Sequence, residues 1–159
     1  MFQFYQFNDL SDQEIRLIID DHLEGNRAMD RVPAYKFRIE RVVDEAWVGD
    51  IDVRIGDTRH LIMYGGHIGY SVFENFRGHR YAAKACQLIK EVALFHGKDT
   101  LWITCNPENM ASRKTCELVG AEYVNTVDVP AGTDLYNRGE YRKCRYQWEI
   151  RDSSVDIKI

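Results

Sequence analysis

The sequence predicts an α/β fold in the α+β sense, a mixed and mostly antiparallel sheet flanked by helices, and three observations carry that prediction. Apolar residues alternate with polar ones through Tyr35, Phe37 and Ile39, and again through Trp47, Gly49, Ile51, Val53 and Ile55, the period of half-buried antiparallel strands. A helical stripe of Ala82, Ala85, Cys86, Ile89, Val92 and Ala93 then separates two short apolar stretches, 67–73 and 101–105. The length of 159 residues, with three prolines, fits one domain spanning 1–159.

The elements follow in order. After a short first strand at the amino end, Ser11 with Glu14 forms a capping-box signature. Ile15, Ile18, Ile19, His22 and Leu23 recur behind it at helical spacing, which predicts a helix over 11–24 that ends at Gly25-Asn26. Two strands come next, with a turn at Gly56-Asp57. A strand over 67–73, a helix from Tyr81 to a cap at Gly97 and a strand over 101–105 form a crossover unit. Strands joined this way run parallel, so the loop at 74–80 lies at a carboxyl strand end, where open sheets bind ligands.

Composition narrows the function. Hydrophobic residues are 45% and charged residues 29% of the chain, and no apolar run approaches the roughly 20 residues of a membrane span. A net charge of -4 lacks the attraction to phosphate backbones that non-specific nucleic-acid binding requires. The amino end has no basic start or long apolar stretch, so a cytoplasmic location is expected. Cys86, Cys105, Cys116 and Cys144 are too widely spaced for a metal pair and read as reduced core residues, with no metal expected.

The loop has chemistry of its own. The first amides of the helix that follows have no partner inside the helix and favour an anion. Arg77, His79 and Arg80 add positive charge, and Gly78 lets the backbone approach a phosphate, so a pyrophosphate fits. Neither the nucleoside-triphosphate loop pattern nor Gly-x-Gly-x-x-Gly occurs.

Two blocks resemble the GNAT acetyltransferases. Gly66-His67-Ile68-Gly69-Tyr70-Ser71-Val72 followed by Phe76-Arg77-Gly78-His79-Arg80-Tyr81-Ala82 resembles their fourth strand and pyrophosphate loop, with Arg80 in place of the middle glycine. The run from Asn106-Pro107-Glu108-Asn109-Met110-Ala111-Ser112 to Leu118-Val119-Gly120-Ala121 is similar to the helix after the fifth strand in the ribosomal-protein-alanine-acetyltransferase branch. The tail from Val129-Pro130 to Arg145-Tyr146 looks like the final hairpin of such proteins.

The resemblance implies a GNAT fold of six to seven strands whose fourth and fifth strands splay apart. It implies acetyl-CoA as co-substrate and direct transfer of the acetyl group to a primary amine of a small molecule or peptide amino terminus. Cofactor contacts are expected at Ser71, Val72, Phe73, Arg77, Gly78, His79, Arg80, Tyr81, Ala82, Asn109 and Ser112. Many relatives protonate the leaving thiolate with a tyrosine where this chain has Cys116, and the resemblance to the alanine-acetyltransferase branch implies Ser112 for that role instead. An alkyl amine is almost wholly protonated at pH 7, which calls for a general base. The candidates are Asp50 and Asp52 on the third strand, Glu40 on the second, His67 on the fourth and Glu74 beyond its end, and none stands out. Gly25, Asn26, Asp30, Arg31 and Tyr136 are placed to line the acceptor opening. A homodimer is compatible with this reading. The rival readings are an acyl-CoA sensor without turnover, prompted by Arg80 and Cys116, and a binding protein that takes no CoA.

Overall fold

The computed structural model describes residues 1–151. Its strands are β1 (Ile15–Leu23), β2 (Ala34–Arg41), β3 (Trp47–Arg54), β4 (Ile68–Val72), β5 (Thr100–Cys105), β6 (Glu122–Asp128) and β7 (Arg142–Glu149). The helices are α1 (Tyr81–Phe95), α2 (Met110–Val119) and the short α3 (Asp134–Asn137). Four strands form one sheet in the order β1-β2-β3-β4, three form another in the order β5-β7-β6, and every ladder is antiparallel. The expected strand count and terminal hairpin are both present.

The inward row of the first sheet, Tyr35, Phe37, Ile39, Ile51 and Val53, is fully buried. It shares one core with Ala85, Cys86, Ile89 and Val92 of α1, which is the stripe that predicted the helix. The opposite face carries Lys36, Arg38, Asp50, Asp52 and Arg54, the polar half of the same alternation. All four cysteines are free and buried.

The helix expected over 11–24 is a strand instead. The Asp12 carboxylate accepts the N–H groups of Glu14 and Ile15 at 2.7 and 2.8 Å, and the Asp12 N–H donates to the Ile15 carbonyl at 2.9 Å, so the chain closes a tight turn here and leaves it extended. Beyond it Ile15 and Leu17 alternate inward while Ile18, Ile19 and Leu23 are 38 to 44% exposed, so the working period is two rather than 3.6. β1 is thus an edge strand laddered to β2, with a bulge between Ile19 and Asp21. The short strand expected before it is absent. Residues 1–10 form no ladder, and Phe2, Phe4 and Phe7 pack on the core from there.

Between the sheets the expected parallel pairing of β4 with β5 shrinks to one backbone bond, His67 N–H to the Trp102 carbonyl at 2.7 Å. Past that point the two strands belong to different sheets and part.

Candidate active site

The parting of β4 from β5 sets the site. Register sums on β3 and β4 are constant, and Arg54 N–H donates to the His67 carbonyl while Phe73 N–H donates to the Val48 carbonyl. In an antiparallel ladder such pairs alternate, so residues 67, 69, 71 and 73 turn their peptide groups toward β3 and residues 68, 70 and 72 turn theirs into the gap. Backbone contacts expected at Ser71 and Phe73 are therefore taken by the ladder. Val72 keeps a free N–H facing the gap, and Tyr70 joins it there. The Val72 carbonyl is engaged by Arg77 Nε at 2.9 Å, which ties the Arg77 side chain to the strand end.

Beyond the strand, residues 77–80 turn sharply into α1. Gly78 has φ +92° with open space where a Cβ would stand, and Arg80 has φ +63°. That left-handed conformation explains why a glycine suits the Arg80 position. Among the described residues no backbone acceptor engages the N–H groups of Gly78, His79, Arg80, Tyr81, Ala82 or Ala83. Arg80 makes no side-chain cap, and a guanidinium has no acceptor with which to make one. The loop thus keeps a row of free donors at the positive end of a 15-residue helix.

A cleft of about 1130 Å³ runs through the gap, walled by Lys36, Asp52, Arg54 and Gly69 on the outer side and by Tyr70, Cys105, Asn109 and Ser112 on the inner side. Ser112 lies in the first turn of α2, where Asn109 caps the helix by accepting the Ser112 N–H at 3.1 Å. The Ser112 hydroxyl lies 2.7 Å from the Tyr70 phenol oxygen. Burial pushes the Tyr70 phenol well above its ordinary value, so it stays neutral. Cys116 is fully buried against Cys105, and that hydrogen bond together with burial pushes its thiol up. It is a core residue that does not line the cleft.

Across the gap, Asp52 is braced by Arg54, Oδ2 to Nη2 at 3.1 Å, while Arg54 also donates to the carbonyls of Gly65 and Gly66 at 3.1 and 2.9 Å. A Cβ on Gly69 would stand 2.7 Å from Asp52 Oδ1 and 2.9 Å from Arg54 Nη2, so glycine makes the room for this pair. Burial raises the Asp52 carboxyl above the ordinary carboxylate value, outweighing the charges of Arg54 and Lys36.

The other candidate bases lie apart. Glu74 is exposed beyond the end of β4, outside the cleft walls. Glu40 is paired with Arg16 at 3.3 Å, and Asp50 accepts from the Trp47 indole at 3.1 Å. His67 is buried with both ring nitrogens engaged: Nδ1 accepts the Trp102 N–H at 2.9 Å, so Nε2 carries the hydrogen and meets the Gly56 carbonyl and Asp57 at 2.9 and 3.1 Å. Asp30 and Arg31 line the mouth as expected, whereas Gly25, Asn26 and Tyr136 do not. Gly69, Arg54 and Tyr70 are the residues that sequence reasoning missed. Only the step from β3 to β4 in register brings them together, and the one-dimensional signal was a glycine inside a strand pattern.

The split sheet leaves unpaired strand backbone beside a donor-rich helix start, an arrangement with room and donors for a long ligand that carries an anionic group. The profile of the Acetyltransferase (GNAT) domain family matches residues 1–122, so the chain belongs to the GNAT acetyltransferase family. Among solved structures, the microcin C7 self-immunity acetyltransferase MccE, in complex with acetyl-CoA and AMP, is 21% identical with a TM-score of 0.54 over 73% of this chain and 61% of that one. Ribosomal-protein-S5-alanine acetyltransferase from Vibrio fischeri is 16% identical, with a TM-score of 0.59 over 75% and 63% of the two chains. The ribosomal L7/L12 α-N-protein acetyltransferase RimL in complex with coenzyme A is 17% identical, with a TM-score of 0.56 over 73% and 62%. At these identities the likeness is one of fold, and this chain spans 61 to 63% of the length of those three. No curated protein matches the chain. No described helix is long and apolar enough to cross a membrane, and the described residues hold no cluster of metal-ligating side chains.

Proposed function

We propose that the protein transfers an acetyl group from acetyl-CoA to a primary amine on a small molecule or a peptide amino terminus. The observation that carries this is the gap between β4 and β5, where the Val72 N–H has no strand partner and Ser112 and Asp52 stand on opposite walls of one cleft. In this reading the diphosphate takes the free amides of residues 78–83, and the pantetheine arm lies along Tyr70 and Val72. The arm thereby continues the sheet that β5 leaves.

The chemistry follows from those places. Asp52 removes the proton of the incoming ammonium, helped by its raised pKa, which shortens the gap to an amine. The nitrogen–carbon bond forms while the Val72 N–H stabilises the oxyanion. The carbon–sulfur bond breaks and the sulfur takes the Ser112 hydroxyl proton, while the second proton, shed by the nitrogen as the amide forms, returns through water to the serine oxygen. The Asn109 role is that of a cap which aims Ser112, with its amide nitrogen left for the arm.

An assay of free thiol released from acetyl-CoA across a panel of alkyl amines and peptides tests this. Amine-dependent release is expected. Binding of acetyl-CoA without release would instead favour a sensor, and no binding at millimolar ligand would remove the reading altogether.

A further inference from the structure

Tyr70 has no side-chain role in the steps above, yet its hydroxyl lies within hydrogen-bond distance of the proposed acid. Its side chain lies on the inward face of β4, opposite Ile51 in register, and packs against the core on its way to α2. There its hydroxyl meets two oxygens of the same residue, Ser112 Oγ at 2.7 Å and the Ser112 carbonyl at 3.4 Å. A buried phenol that stays neutral has one hydrogen to place, and leaving it unpaired costs about 1–3 kcal/mol. Of the two acceptors, only Oγ is at full hydrogen-bond strength.

We propose that Tyr70 is a positioning residue for Ser112: it donates its hydroxyl hydrogen to Ser112 Oγ and so leaves the serine's own hydrogen to point into the cleft at the departing sulfur. This rests on the acetyl-transfer reading. Without that donor, both lone pairs of Oγ stay open and nothing from the β4 side fixes the direction of the serine hydrogen. With it, one lone pair of Oγ is filled from the β4 side, and a donated hydrogen bond makes the serine hydroxyl a better acid. The tyrosine missing from the Cys116 position is thus replaced by one that acts through serine from the neighbouring strand.

Tyr70→Phe deletes only the hydroxyl. We expect kcat to fall about 10-fold, with KM for acetyl-CoA and for the amine moving by less than about twofold. Ser112→Ala and the double variant should turn over at the same rate, because a positioning group has nothing to position once the serine is gone. Additive losses, or wild-type kcat in Tyr70→Phe, overturn the proposal. Should Tyr70→Phe fail to fold, the 13Cζ resonance of Tyr70 in labelled protein is read instead, and it must move in Ser112→Ala. An unmoved resonance overturns the hydrogen bond itself. A wild-type protein that releases no thiol with any amine overturns both the parent reading and this one, whereas an active wild type with additive variants overturns this one alone.

Discussion

The two ends of the seam between β4 and β5 differ in one respect that decides what each can do. At the His67 end the strands are closed by a backbone bond and by the imidazole, which accepts the Trp102 N–H that a parallel strand would have taken. At the Val72 end the peptide groups of the same strand face a gap. A side chain that mimics a strand partner for one step, and no further, sets where the sheet opens. Polar groups satisfied inside the protein give stability, and those left over are available to a ligand. Variants at the open end should therefore alter turnover with little effect on folding, and variants at the closed end the reverse.

The largest effect is expected at Val72. Its N–H faces the gap, so Val72→Pro removes a candidate oxyanion donor without breaking the ladder to β3, and the preceding Ser71 is already extended as a residue before proline must be. We expect kcat to drop about 100-fold or more while the melting temperature is largely kept. Ser71→Pro is the matched control, because its N–H belongs to the ladder, and it should lower the melting temperature instead. Wild-type turnover in Val72→Pro would break the contrast at its open end.

Asp52→Asn comes next, with an expected loss of about 100-fold in kcat at pH 7 if the carboxylate is the base. The sign of its pH dependence is fixed by burial. A raised pKa means that wild-type kcat/KM falls as pH drops through a value above the ordinary carboxylate range. That limb should be missing in the variant. An identical limb in both proteins would move the base to another group.

Much of this was legible in the sequence, for identifiable reasons. Period-two alternation located β2 and β3, the apolar stripe and Gly97 located α1, and the Arg77-to-Ala82 block located the loop whose amides are free. Ser112 and Asp52 were named and share one cleft. The first helix was misread because Ile15, Ile18 and Ile19 fit the helical spacing while Ile15 and Leu17 equally begin a strand alternation, and only the Asp12 turn and the partner strand β2 choose between them. The splitting of contacts between Ser71 and Val72 was not legible at all, since it depends on which residues of β4 hydrogen-bond to β3. Tyr70 was hidden for a like reason: 42 residues separate it from Ser112, and nothing local links the two.

The smallest effect concerns the closed end and is read in stability. Burial depresses the His67 pKa, with Asp57 opposing and Lys98 adding to the shift. Protonation would also place a hydrogen on Nδ1, where the Trp102 N–H already points. The unfolded chain, with an ordinary histidine pKa of about 6.5, then binds the proton before the folded one does. Stability from this site is accordingly complete above about pH 6.5 and is lost as pH falls toward the depressed folded value. His67→Gln should cost about 1–3 kcal/mol at pH 7.5, seen as a melting temperature several degrees lower, with turnover retained because His67 lies outside the cleft walls. Between pH 7 and 5 the wild type should lose stability faster, so the difference between the two proteins narrows. His96, also depressed by burial, contributes equally to both and cancels in that difference. A difference that stays constant with pH would mean that His67 only fills space, and the account of how the seam is closed would have to rest on the backbone bond alone.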